Sequence, residues 1–405
     1  MVSRFSLKGG LRFDGRRLTP FEELFFEGDR LVGIDRRPEG FQPEREVAFP
    51  NCWLLPAIFD LSVRIDRFDR LPREREAALR GGVQTFCLQP TSTFPLDTPE
   101  TVFLVQQTGG SAVLPVASLT TGYRGERLAD MGLLLEAGAC ALAATGNLRS
   151  LALWRQALLY ASTFDALVFV RAEEGSLSRG CAHEGATAFK MGLPTIPSTA
   201  ETALIAALLE LVAETGARIH LSCLSTARSV ELVAEAKARG LPVTADVALP
   251  NLLWSEELLQ GWNSGFHLHP PLRTASDRRL LLEGVASGVI DAITSDHLPL
   301  PEEGKAQPFP ASLPGMATLE LLLPMVARLI EKGELPPSSL SALGSHPSRI
   351  LARPLSGWLI YDPKRSWRLE EEAWRSSGRN TPLWGEELSG KVVGVVTREG
   401  LIVFV

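Results

Sequence analysis

Residues 269–300 read HPPLRTASDRRLLLEGVASGVIDAITSDHLPL, and they contain one full repeat of the pattern that decides the fold. Thr274, followed three residues later by Asp277, is a capping box that opens an amphipathic helix. Gly288 stops that helix, because glycine takes the left-handed conformation a helix end requires at little cost. The short apolar run that follows, DAITSD (291–296), reads as a buried strand. The alternation continues towards the N-terminus. STARSVELVAEAKARG (225–240) has Thr226 as its cap, puts Val230, Val233 and Ala236 on one face and stops at Gly240. STAETALIAALLELVAETG (198–216) pairs Ser198 with Glu201 as another capping box and ends at Gly216. Buried strands are read at VQTFCLQ (83–89), AVLPVASL (112–119), ALVFVRA (166–172), RIHLSCL (218–224) and PVTADVA (242–248). Strands alternating with helices over roughly 250 residues favour a (β/α)8 barrel of the TIM type over an open sheet.

The two chain ends differ from this middle. GLRFDG, LFFEGDRLVGIDRRPEG and REVAFP near the N-terminus, and GWLIYDP, SWRLEEE and GKVVGVVTREGLIVFV near the C-terminus, alternate short apolar runs with turns. The expected α/β architecture is therefore a barrel over 53–345 and a small β-sandwich assembled from 1–52 and 346–405. The polar, proline-containing segment PEEGKAQPFPAS (301–312) follows a strand, so it is expected over the C-terminal face of the barrel, where sites form.

Composition excludes several function classes. The 405 residues are 45% hydrophobic and 22% charged, with a net charge of −6 and no basic block, so neither a nucleic-acid-binding nor an anionic-membrane surface is expected. The N-terminus has no apolar core of the signal-peptide kind. The apolar stretch ALIAALLELVA is too short to span a bilayer. Five scattered cysteines (Cys52, Cys87, Cys140, Cys181, Cys223) without a CxxC pair read as reduced thiols of a cytoplasmic protein and exclude a zinc knuckle.

Five segments in consistent order resemble the dihydroorotase branch of the amidohydrolase superfamily. LLPAIFDLSVRID (54–66) is similar to the first-strand motif that carries HxH. HLSCLSTARSVELVAEAKARGLPVTADV (220–247) is similar to the strand whose final His precedes Val-Ser-Thr. The opening stretch, 269–300, is similar to NPPLR followed by TDHAPH. PFPASLPGMATLELLLP (308–324) resembles the loop that closes on substrate, and RNTPLWGEELSGKVVGVVTREG (379–400) the C-terminal β segment. Hydantoinases and allantoinases share some of these pieces; the PPLR-to-TSDH spacing and DTPE (97–100) favour dihydroorotase. The resemblance implies a zinc hydrolase in which metal-bound hydroxide opens a cyclic ureide and an Asp shuttles the proton.

The ligand positions do not carry ligands. The HxH positions fall on Ser62 and Arg64; a further His position falls on Arg171 and the His before Val-Ser-Thr on Cys223. Where relatives have a metal-bridging carboxylated Lys or Asp, LAATGN offers only Ala144 and Thr145. The Arg that holds the substrate carboxylate is replaced by Asp66, the Asn of NPPLR by His269 and the last His of TDHAPH by Leu300. Only Asp296, the vestigial metal ligand and proton shuttle, remains, with His297 beside it. Arg cannot be deprotonated and Ser is a poor zinc ligand, so zinc, the cofactor of the family, has no ligand set here and no cofactor is expected.

At least one of Arg64 and Arg171 is expected to pair with Asp296 in place of the lost metal charge. His297 is read as a hydrogen-bonded scaffold residue, Cys223 as a buried small residue and Arg273 as structural. The resemblance implies a dihydroorotase homologue of pyrimidine biosynthesis that is a non-catalytic structural partner of aspartate transcarbamoylase in a homo- or hetero-oligomer. Two alternatives stay open: an active cyclic-amide hydrolase with an atypical site, converting dihydroorotate and water to N-carbamoyl-aspartate, and an anion-binding barrel.

Overall fold

The computed structural model describes residues 3–146 and 148–404, without the side chain of Thr145. Its centre is a ring of eight strands: β1 (Ile58–Val63), β2 (Val83–Leu88), β3 (Val113–Ser118), β4 (Ala141–Thr145), β5 (Val168–Arg171), β6 (Ile219–Leu221), β7 (Val243–Ala248) and β8 (Ala292–Thr294). Neighbours in the chain are neighbours in the sheet. The ring closes just beyond β8 and β1, where the Arg64 amide donates to the His297 carbonyl (2.8 Å) and the His297 amide to the Ser62 carbonyl (3.2 Å). Asp60 ties the same seam: its Oδ1 accepts from the amides of Ser62 (3.1 Å) and Ser295 (3.2 Å) and from the Thr294 hydroxyl. The barrel expectation is thereby met.

Helices cover the ring on the outside. Ala275–Ser287 has the expected capping box at Thr274 and Asp277, and Gly288 follows at φ +79°. Ala227–Ala238 is capped by Thr226, which accepts from the Ser229 amide, and buries Val230, Val233 and Ala236. Each fully buried aliphatic side chain of this kind contributes roughly 1.5–3 kcal/mol.

Strand β4 was not among the strands read from the sequence; ALAAT lacks the β-branched content of a typical strand and takes its conformation from pairing Ala141 with Val116 and Leu142 with Val168. The capping box at Ser198 is absent. Ser198 is itself αR with no side-chain cap bond, and Gly216 still ends the helix Thr199–Thr215. Glu201 turns inward instead, accepting from the amides of Ser225 (3.0 Å) and Thr226 (3.2 Å) and from the Ser229 hydroxyl. The tertiary donors outnumber the single local one.

The chain ends build two further sheets. One has four strands in the order Arg30–Ile34, Glu23–Glu27, Arg4–Lys8, Arg45–Ala48; the other has six, Gly400–Val403, Glu387–Thr397, Trp358–Arg368, Trp53–Pro56, Leu11–Phe13, Leu18–Pro20. Phe5, Leu7, Leu24 and Phe26 of the first pack with Leu54, Ile360, Val393 and Val396 of the second. Trp53–Pro56 thus lies in the outer sheet although the sequence division places it in the barrel. Residues 301–312 contain a short helix, Glu302–Lys305, anchored where Lys305 Nζ donates to the carbonyls of Ser264 (3.0 Å) and His267 (2.9 Å). No helix among the described residues is long and apolar enough to cross a membrane.

Candidate functional site

The C-terminal ends of β1, β5 and β8 converge on one carboxylate. Asp296 lies two residues beyond β8, at φ +51°, a left-handed turn that Asp tolerates better than most residues. Its Oδ1 accepts from the Ser62 hydroxyl (3.1 Å) and from Arg171 Nη2, its Oδ2 accepts from Arg171 Nη1 (3.3 Å), and Arg64 Nη2 forms an ion pair with Oδ1 at 2.9 Å. Arg171 also donates to the His269 carbonyl and lies 3.2 Å from Cys223 Sγ. Both arginines therefore reach Asp296, and Ser62, Arg64 and Arg171 join it in one cluster, while Asp66 does not.

Electrostatics follow from this geometry. Burial alone would raise the Asp296 carboxyl, but the Arg171 and Arg64 guanidiniums outweigh it and hold it below the usual carboxylate range. Burial and the neighbouring Arg171 charge lower Arg64, with Asp296 acting against them. Burial pushes the Cys223 thiol well up, so it stays protonated and is a poor nucleophile. Asp296, charged and saturated by three donor groups, is an equally poor proton acceptor.

Ser62, Arg64 and Arg171 of this cluster line a cavity of about 570 Å³ together with Asp66, His269 and Leu300. Asp66 is engaged by Arg70 Nε at 3.1 Å, and His269 Nε2 lies 2.6 Å from Glu173 Oε2. Ala144 lines the wall, while the side chain of Thr145 lies outside the described residues. The expected segment 301–312 flanks the mouth, but Leu298, Leu300, Leu313 and Pro314 on either side of it are what face the cavity. His297 turns away: its Nδ1 accepts from the Thr318 amide (2.9 Å), so Nε2 carries the proton it shares with Glu74 (2.9 Å). Arg273, buried, donates to Ser225 Oγ (3.0 Å) and the Ile196 carbonyl (2.8 Å), away from the cluster.

Sequence reasoning missed Glu173, Tyr123, Arg124 and Gln89, all of which line the cavity. Glu173 could have been found two residues after Arg171. Gly146 offers a second signal, since a Cβ there would lie 1.9 Å from the Glu173 carbonyl, so only glycine admits this close approach.

Comparison with known proteins agrees with the architecture. The Dihydro-orotase-like family matches residues 54–229. A dihydroorotase-like protein of Pseudomonas aeruginosa is 38% identical over 405 residues, spanning 93% of this chain and 95% of the relative. The chain belongs to the dihydroorotase-like family. A dihydroorotase of Anaeromyxobacter dehalogenans is 33% identical over 426 residues, with 93% of this chain and 98% of the relative covered. The L-hydantoinase (dihydropyrimidinase) of Arthrobacter aurescens superposes with a TM-score of 0.85 at 19% identity, covering 100% of this chain and 96% of that one, a likeness of fold.

The zinc that the dihydroorotase family implies does not fit these residues. Among the described residues no three His, Cys, Asp or Glu side chains converge as a metal site. Cys223 and Asp296 are the nearest soft and hard donors, and both are occupied by Arg171. A dication placed between them would face two guanidiniums.

Proposed function

We propose that this dihydroorotase-like chain is a non-catalytic homologue of pyrimidine biosynthesis that serves as a structural partner of aspartate transcarbamoylase. The observation that carries the first half is the Arg64–Asp296–Arg171 cluster. The one family residue able to shuttle a proton is neutralised by fixed positive charge, and the other acids that line the mouth, Asp66 and Glu173, are paired with Arg70 and His269. The partner rests on the resemblance of the five ordered segments. A barrel whose Thr274–Asp277 capping box, closure seam and core are intact while its catalytic positions are replaced is a fold maintained for its surface.

The test uses the purified full-length chain. Zinc content well below one ion per chain and no ring opening of dihydroorotate above background are expected. Stoichiometric zinc that survives mild chelation, or hydrolysis by the unaltered chain that is lost in Asp296→Asn, overturns the non-catalytic reading. Mixed with the aspartate transcarbamoylase chain of the same source, the protein is expected to co-sediment. Two separate boundaries in sedimentation velocity at micromolar concentration overturn the partner assignment.

A further inference from the structure

A second cavity, of about 80 Å³, opens where the six-stranded outer sheet meets the helices of the barrel, and it shares no lining residue with the barrel mouth. Four bases converge on it from separate elements. Arg80 ends the helix Leu71–Arg80, Arg365 lies on the strand Trp358–Arg368, Lys391 on the strand Glu387–Thr397, and Arg375 in the connection between those strands. Arg375 is engaged: its Nη1 donates to the Glu372 carbonyl (2.8 Å) and its Nε faces Glu76 (3.4 Å). Two of the others are positioned by aromatic rings. Arg80 lies over the Phe404 ring, 4.5 Å from its centroid, and Lys391 Nζ over the Trp367 ring at 4.9 Å. Both rings are anchored, since Trp367 Nε1 donates to the Gly390 carbonyl (2.9 Å) and the Phe404 amide to the Val393 carbonyl (2.8 Å). A ring face holds a cation in place without using up its N–H donors. Among the described residues no carboxylate and no carbonyl accepts from the side chains of Arg80, Arg365 or Lys391.

The acids that line this cleft do not offset the bases. Glu372 is exposed and carries a full charge. Glu320 is buried, and burial pushes its carboxyl up to about 7, so at neutral pH it carries only part of one. With Arg375 set against Glu76, Arg80, Arg365 and Lys391 face these two, a surplus of between one and two positive charges. The guanidiniums cannot shed theirs. Burial and the like charges of Arg365, Arg375 and Arg80 lower Lys391, with Glu320 acting against them. An anion among these bases would relieve that repulsion.

We infer that this cleft binds a phosphate group, through Arg80, Arg365 and Lys391. A phosphate group carries between one and two negative charges near neutral pH, which matches the surplus. Its several oxygens accept charge-assisted bonds from different directions, as bases arriving from three elements require, whereas a planar carboxylate offers two oxygens. A cavity of about 80 Å³ holds an ion of a few heavy atoms and leaves the rest of a larger molecule outside. The inference uses no residue of the barrel mouth and stands independently of any protein partner.

Calorimetric titration of the full-length protein at neutral pH and fixed ionic strength, with inorganic phosphate and glycerol 3-phosphate against acetate, tests it. Saturable binding of at least one phosphate compound with Kd below about 1 mM is expected, with acetate at least about ten-fold weaker. Equal affinity for the two assigns the cleft to the free ion, and tighter binding of the ester assigns it to a phosphorylated small molecule. Lys391→Gln should weaken binding about ten-fold, and so should Arg365→Gln, at an exposed position where the fold is not at stake. The double variant Arg16→Gln with Arg17→Gln removes two exposed bases outside the cleft and should leave the Kd unchanged. No saturable binding of either phosphate compound, acetate bound as tightly, an unchanged Kd in either folded cleft variant, or an equal loss in the double variant would each overturn the assignment.

Discussion

Two carboxylates buried on the same face of the ring illustrate different ways to keep a charge inside a protein. Glu201 is held by neutral donors: the amides of Ser225 and Thr226 and the hydroxyls of Ser225, Thr226 and Ser229, with a single guanidinium, Arg273, bonded to the far side of Ser225 Oγ. One acid meets one base, and the cluster is closed. Asp296 is held by two guanidiniums and one hydroxyl beside an open cavity. The first arrangement is scaffold. The second keeps positive charge where relatives of this family are expected to keep a metal. Burial alone therefore does not mark a functional residue; the local charge sum does.

Removing the acid from each cluster separates the two most strongly. Asp296→Asn strips the shared counter-charge from the Arg64 and Arg171 guanidiniums and should cost about 3–5 kcal/mol of unfolding free energy. Glu201→Gln keeps most acceptor geometry among neutral donors and should cost about 1–3 kcal/mol. Urea unfolding monitored by circular dichroism gives both values. Equal losses would break the contrast, since they would mean that the two carboxylates balance the same amount of charge.

A third buried acid sharpens it through pH. Among the described residues Glu320 accepts only from the amides of Arg375 (2.8 Å) and Ser376 (3.0 Å), and burial pushes its carboxyl up to about 7 from an ordinary 4.5. An acid whose folded value lies above its unfolded value costs nothing below about 4.5, where both states are protonated. Stability is then lost as pH rises from about 4.5 to about 7. Glu320→Gln removes that loss, so the variant should gain on the parent by about 3 kcal/mol between pH 4 and pH 8. A pH-independent difference between the two proteins would show that the backbone amides suffice to carry the charge.

The smallest effects test the helix starts beside the Glu201 cluster. Thr274→Ala should cost about 1 kcal/mol, because its hydroxyl caps the Asp277 amide at 3.1 Å. Ser198→Ala should stay within about 0.5 kcal/mol, because Ser198 makes no cap bond. A loss at Ser198 equal to that at Thr274 would mean that Glu201 serves its own helix start as well as the neighbouring loop.

These residues also mark how far the amino-acid sequence reaches. Periodicity and glycine stops identified the barrel, since apolar spacing and backbone freedom are local properties of a segment. They missed β4, whose small residues have no strand preference of their own and are held in the sheet by Val116 and Val168 on either side. They assigned Ser198 and Glu201 to each other because the two are three residues apart, whereas the folded chain offers Glu201 better donors from residues 225–229. The chemistry of Arg64 and Arg171 follows from residue type alone, since a guanidinium that cannot be deprotonated is no zinc ligand in any conformation. What only the tertiary structure decided is which charges meet. Arg64, Arg171 and Asp296 are far apart in the chain, and Coulomb attraction matters over a few ångströms. It is the closure of the ring, bringing the ends of β1, β5 and β8 together, that joins the two arginines and the one retained acid into one ion-pair cluster.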